Sequence, residues 1–198
     1  MNKKANGPLR ILLVDEQPER FDLLNKTFTE CGYEVVANMG AHEDLNAAVE
    51  KTAPDVIIAD LDSPSRDTLE YMQAVTRDHP RPIVMFTNDG DGQTIEMAVK
   101  AGVSAYVLDG IHPERIQPIL DVAISRFKEY QLLRDELEQT RLQLSERKII
   151  EKAKGILMKN RGLDEEQSYQ CLRKMAMDRN LKISELARSV IAAAELLE

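Results

Sequence analysis

Short apolar runs alternate with longer amphipathic segments from the start of the chain to about residue 124. Leu9-Arg-Ile-Leu-Leu-Val14 has the composition of a buried strand, and Pro18 to Cys31 reads as a helix stopped at Gly32. Tyr33–Val36, Asp55–Ala59, Pro82–Phe86 and Ala105–Leu108 supply four more strands. Helices are predicted over Asp44–Thr52, Thr68–Thr76 and Thr94–Ala101, and a last one opens at Pro113. Five strands alternating with five helices predict an α/β fold, a five-stranded doubly wound parallel sheet covered on both faces. Ligands of such a sheet bind beyond the carboxyl ends of its strands.

The pattern then changes. From Pro113 it predicts an unbroken helix up to Gly155, continuing to Asn160 and stopped at Arg161-Gly162. Within it Tyr130, Leu133, Leu137 and Leu144 recur at heptad spacing, with Thr140 on the same line and Arg134, Glu136, Glu138 and Arg141 beside it. That is the seam of a short dimeric coiled coil, although a helix packed on its own domain shows the same spacing. Asp164-Glu-Glu-Gln167 is a capping box that opens another helix through Tyr169, Leu172, Met175 and Ala176 to about Asn180. Ser184 is placed to cap a third, carrying Leu186, Val190, Ile191, Ala194 and Leu197. The predicted organisation is a domain over 1–124, a coiled-coil helix over 125–146 and a small all-α three-helix module over 147–198. So few residues bury little surface, which favours dimerisation.

Charge sharpens this division. The 198-residue chain carries a formal net charge of −8. Residues 1–124 hold 11 Lys/Arg against 21 Asp/Glu, whereas residues 147–188 hold 11 against 6. The stretch Arg147–Arg161 sets Arg147, Lys148, Lys152, Lys154, Lys159 and Arg161 around an apolar stripe of Ile149, Ile150, Ala153, Ile156 and Leu157. Arg173, Lys174, Arg179 and Lys182 can extend the basic surface. A solvated helix face would carry the same charges, but a basic surface confined to one segment of an acidic chain implies a polyanionic target, RNA or DNA first. Tyr169 is the only aromatic residue in this module, so base stacking on rings cannot dominate. No apolar run approaches the ~20 residues that span a bilayer, and Cys31 and Cys171 lack metal-ligand spacing. A cytoplasmic protein with no membrane contact and two small buried cysteines is expected.

Asp15 and Glu16 follow the first strand, Asp60 follows the third, and Thr87 ends the fourth. Carboxylates converging at central strand ends repel one another unless a divalent cation such as Mg²⁺ neutralises them. Val14-Asp-Glu16, Pro54-Asp-Val-Ile-Ile-Ala-Asp60 with Pro64, Pro82-Ile-Val-Met-Phe-Thr87, and Ala101-Gly102 with Tyr106 together resemble the receiver domain of two-component response regulators. The resemblance implies Asp60 as phosphoacceptor and Thr87 as the switch hydroxyl. It implies a metal site formed by Asp15, Glu16 and Asp60, with Asp62 contributing its carbonyl. One position departs from the pattern. Where that family has Lys-Pro after the fifth strand, this chain has Asp109-Gly110. An anion there opposes closure around a phosphoryl group carrying about −2 charge, and the usual cis-proline is lost.

Response regulators commonly end in a DNA-binding helix-turn-helix, but no glycine-bearing turn here precedes a helix rich in Arg, Asn and Gln. Instead Lys152-Ala-Lys-Gly-Ile-Leu-Met158 and Tyr169-Gln-Cys-Leu-Arg-Lys-Met-Ala-Met177 resemble the ANTAR module of RNA-binding antiterminators. Asp60-Leu-Asp-Ser-Pro-Ser-Arg-Asp67, Met85-Phe-Thr-Asn-Asp-Gly-Asp91 and Ala105-Tyr-Val-Leu-Asp-Gly110 are similar to nitrate/nitrite-assimilation regulators of the NasT type. That resemblance implies a hairpin leader RNA as ligand, prevention of termination, and an inhibitory nitrate- or nitrite-sensing protein partner. No enzymatic activity is expected. Two other readings stay open: a DNA-binding response regulator with an unusual output domain, and a receiver switch that acts only through protein contacts.

Overall fold

The computed structural model describes residues 7–195. They form two compact units, divided at Gln131/Leu132.

The first unit is built on five parallel strands: β1 (Arg10–Asp15), β2 (Glu34–Met39), β3 (Val56–Asp60), β4 (Ile83–Thr87) and β5 (Ala105–Leu108). Their order in the sheet is β2-β1-β3-β4-β5, all parallel. Between them lie α1 (Phe21–Glu30), α2 (Leu45–Thr52), α3 (Arg66–Asp78) and α4 (Gly92–Lys100), and α5 (Pro113–Arg161) follows β5. Alternation along each strand divides the core in two. Leu12, Val14, Ile57, Ala59, Ile83 and Met85 face one side, where Leu45, Val49, Leu69, Met72, Val75 and Ala98 of α2, α3 and α4 cover them. Ile11, Leu13, Val56, Ile58, Val84 and Phe86 face the other, against Leu24 and Phe28 of α1 and Ile116, Leu120 and Ala123 of α5. The apolar runs of the central strands β1, β3 and β4 are thus buried on both faces, as a doubly wound sheet requires, while those of the edge strands β2 and β5 are half-buried.

Local chemistry sets the ends. Asp44, Ser65 and Asp91 cap α2, α3 and α4, each accepting a backbone N–H in the first turn. Ser65 starts α3 two residues ahead of the expected Thr68. The segment expected to be helical from Pro18 instead begins as one 3₁₀ turn, Pro18–Arg20, before α1. Strand β2 runs on to Met39, because an edge strand tolerates the half-buried Asn38. Gly102 needs its hydrogen: φ is +94°, and a Cβ there would lie 2.5 Å from Cγ2 of Thr76.

Helix α5 has no break at residue 124 or 146, so the expected 125–146 linker is part of one 49-residue helix. Pro118 lies within its second turn, where it forfeits one backbone hydrogen bond. The helix passes through Gly155 and stops at Gly162, whose φ is +63°.

The second unit comprises residues 132–161 of α5 with α6 (Glu165–Asp178) and α7 (Ile183–Glu195), and α5 packs on them through Ile149, Ile150, Ala153 and Leu157. The predicted capping box is formed in full: Asp164 accepts the Gln167 N–H at 2.7 Å, and the Gln167 side chain accepts the Asp164 N–H at 3.2 Å. The core comprises Ala153, Leu157, Leu172, Ala176, Leu186 and Ala187, flanked by Ile149, Ile150, Met175, Val190 and Ile191. Ser184 is not the cap expected of it. It is buried within α7 and donates to Glu146 at 3.1 Å, while the Glu185 carboxylate accepts the Lys182 N–H at 3.2 Å and takes over the capping. Leu197 lies outside the described residues. Both cysteines are free and half-buried rather than fully enclosed.

Candidate functional site

Asp15 and Asp60 end adjoining strands and are direct register partners, so parallel pairing alone brings their carboxylates to one crevice. Both are buried. Oδ1 of Asp15 accepts the Gln17 N–H at 2.7 Å, whereas its buried Oδ2 has no hydrogen-bond partner. The Arg20 guanidinium enters between the two acids. Its Nη2 donates to Oδ2 of Asp60, and its Nε stands 3.7 Å from Oδ2 of Asp15. Burial raises the Asp60 carboxyl above its ordinary value, against the lowering pull of Arg20.

The other expected members of this site are spread around it. Thr87, buried at the end of β4, donates to the Asp62 carbonyl at 3.0 Å and accepts the Asp89 N–H at 3.1 Å. The Asp62 side chain accepts from Asn88 at 3.0 Å, and Glu16 is exposed. Among the described residues no three acidic, histidine or cysteine side chains are disposed to hold a metal ion. With Arg20 between the two inner carboxylates, the expected donor set of Asp15, Glu16, Asp60 and Asp62 does not assemble into a cation cage. Sequence alone assigns Arg20 no site role, because its acidic partner Asp60 lies 40 residues away. Asp109 is exposed in the left-handed region at φ +70°, followed by Gly110 at +75°, and no described peptide bond is cis.

The second unit presents its charges outward. Lys148 and Lys152 of α5 and Arg188 of α7 line a shallow groove with Ile149, Ile191, Ala192 and Glu195. Lys152 pairs with Glu195 at 2.8 Å, an exposed contact of small energetic weight. Arg188 is a cation that sequence reasoning missed; its position on α7, facing the α5 lysines, was the available signal. Arg147, Lys159, Arg161, Arg173, Lys174, Arg179 and Lys182 are all exposed. Lys154 corrects the expectation of a ligand-facing side chain. It is buried, and its ammonium donates to Glu165 at 2.8 Å and Glu151 at 2.9 Å. Those two carboxylates hold its pKa above the usual lysine value. Its contacts therefore fasten the start of α6 to α5.

The response regulator receiver domain profile matches residues 11–121, and the ANTAR domain profile matches residues 138–191. The chain is 30% identical over 188 residues to the transcriptional regulatory protein PdtaR of Mycobacterium tuberculosis (strain H37Rv), covering 94% of this chain and 91% of that protein. The chain belongs to the ANTAR response regulators. These are regulatory proteins of the antiterminator type. A nitrate regulatory protein of Klebsiella oxytoca is 42% identical over 78 residues, 39% of this chain and 20% of its own length. Solved structures extend the likeness in fold. The signal receiver domain of a modulated diguanylate cyclase from Desulfovibrio desulfuricans G20 matches with TM-score 0.53 at 18% identity, covering 62% of this chain and 98% of that one. A LuxR-family response regulator from Aurantimonas sp. SI85-9A1 matches with TM-score 0.53 at 24% identity, covering 60% and 86%.

Within this ANTAR response regulator the heptad positions Tyr130, Leu133, Leu137 and Leu144 are between 51% and 60% exposed. They are large apolar side chains uncovered in the single chain. Thr140, on the same line, turns its hydroxyl back to the Glu136 carbonyl at 2.8 Å. No helix among the described residues is long and apolar enough to cross a membrane.

Proposed function

We propose that this protein is a cytoplasmic antiterminator that binds a hairpin leader RNA through its ANTAR unit and prevents termination upstream of nitrate- or nitrite-assimilation genes. The observation that carries this reading is the exposed basic surface of that unit in an otherwise acidic chain: Arg147, Lys148, Lys152, Lys159, Arg161, Arg173, Lys174 and Arg179, joined by Arg188. The cations engage phosphates, and the arginine planes reach loop bases. Lys154 is excluded, since its charge is already spent on Glu165 and Glu151. The apolar line Tyr130, Leu133, Leu137 and Leu144 pairs with that of a second copy, so the RNA-binding form is a homodimer. A nitrate- or nitrite-sensing protein that holds the receiver supplies the signal, in keeping with the nitrate regulatory relative.

Asp60 is the phosphoacceptor by position and Thr87 the switch hydroxyl. Asp109 adds negative charge where a lysine would pair with the phosphoryl group, so the partner rather than phosphorylation throws the switch. A divalent ion such as Mg²⁺, when bound by a receiver, neutralises such carboxylates; here Asp15 and Asp60 would hold it, in exchange for Arg20. Competition between hairpin RNA and duplex DNA of equal charge tests the reading. Hairpin RNA should win, with affinity falling steeply in salt, and a preference for the duplex overturns it.

A further inference from the structure

We propose that Arg20 is the resident counter-ion of the receiver's acidic pocket, occupying the place between Asp15 and Asp60 that a divalent cation would need. The argument begins with backbone geometry. Parallel register sets Asp15 opposite Asp60 and both are buried, so two negative charges share a site withdrawn from water. Such a pair is tolerated only with positive charge at hand or with one carboxyl protonated. The chain supplies that charge itself. Pro18 opens a single 3₁₀ turn, closed by the Arg20 N–H on the Gln17 carbonyl at 3.0 Å, and the turn delivers residue 20 to the crevice. From there one guanidinium reaches both acids, bonding Asp60 and standing 3.7 Å from Asp15.

The remaining contacts point the same way. Oδ2 of Asp15 is buried and accepts no hydrogen bond, so Arg20 meets its charge without filling its lone pairs. The Asp62 carbonyl is engaged by Thr87, and Glu16 stands in solvent. A metal ion entering this pocket therefore has to expel a cation already bonded to Asp60 and recover ligands turned elsewhere. Two carboxylates carry −2, which one guanidinium half-neutralises. The pocket keeps a residual attraction for a divalent ion, but every binding event competes with Arg20. Removing that side chain uncovers a two-carboxylate site with one oxygen already free.

Calorimetric titration of the full chain with Mn²⁺ and Mg²⁺ tests this, comparing wild type, Arg20→Gln and Arg20→Lys. The expected result is weak binding by wild type, binding tighter by about tenfold or more in Arg20→Gln, and near-wild-type behaviour in Arg20→Lys. The metal-free Arg20→Gln variant should also melt below wild type and regain its Tm in Mg²⁺. Equal metal affinity in wild type and Arg20→Gln overturns the proposal. If Arg20→Gln does not fold, the Arg20 Nε–H signal in NMR spectra of wild type, assigned by its loss in Arg20→Lys, decides. The signal should shift as Mg²⁺ binds and releases the guanidinium. Saturation with Mg²⁺ that leaves it unmoved overturns the proposal.

Discussion

The receiver and the ANTAR unit solve the same problem, a surplus of one charge, in opposite directions. In the receiver two carboxylates are buried at the carboxyl ends of β1 and β3 and an arginine is drawn in to meet them. In the ANTAR unit the cations other than Lys154 stay in solvent over an apolar core, and a row of leucines is left uncovered. The first arrangement supplies a counter-charge from its own chain, one cation against two carboxylates. Under the function proposed above, the second is completed by a second copy of the chain and a polyanion. Lys154 is the exception that sharpens the contrast, a cation of the basic unit handled in the receiver's manner.

The largest expected effect separates the two cores. Leu172 is fully buried in the small core, and Leu172→Ala should remove ~2–5 kcal/mol. Scanning calorimetry should show the helical unit melting early while the receiver transition keeps its Tm; loss of both together would mean that the units do not unfold independently. Next comes charge. Lys148→Glu with Lys152→Glu should weaken hairpin RNA binding about a hundredfold and flatten its salt dependence. Lys154→Met should instead lower the Tm of the unit and leave the affinity of the folded fraction near wild type. Equal RNA defects in both variants would erase the distinction between inward and outward lysines.

A smaller change follows at the seam. Leu137→Lys should weaken self-association about tenfold, equivalent to ~1.4 kcal/mol, as read by sedimentation. Smallest is Asp60→Asn. Because burial raises the Asp60 pKa from 3.8, its protonated form suits the fold. That stabilisation is fully present below the unfolded value and is lost as pH rises through the folded one. At neutral pH the ionised carboxylate therefore weighs against folding. Asp60→Asn should raise the receiver Tm by a few degrees, with the gap closing as pH falls toward 4, and RNA binding should be unchanged. A lower Tm at neutral pH would show that the Arg20 contact outweighs burial.

Much of this was legible in order along the chain because its causes are local. The alternation of strands and helices and the Asp164–Gln167 capping box each depend on residues within a turn or two. The strand-end positions of Asp15 and Asp60 followed from the same periodicity. What escaped was set by distant partners. Ser184 has the chemistry of a cap, but Glu146, 38 residues earlier, claims its hydroxyl. Lys154 falls on a helical wheel with its basic neighbours, and nothing in that wheel reveals Glu165 on the next helix. Arg20 looked like an ordinary helix residue until the sheet placed Asp60 beside it. Glu16 failed in the other direction, adjacent to Asp15 in sequence yet exposed at the strand end.

The enclosure of Lys154 has a chemical corollary. An amine held protonated between two carboxylates is a poor nucleophile, and one buried under the start of α6 is out of an acylating reagent's reach. Lys148, Lys152 and Lys159 have no such shelter. In a pulse of amine-directed labelling these three should modify first, and Lys154 only in molecules whose α6 has lifted away. The labelled fraction at that one position then counts how often the ANTAR unit opens, in the intact chain and without a ligand.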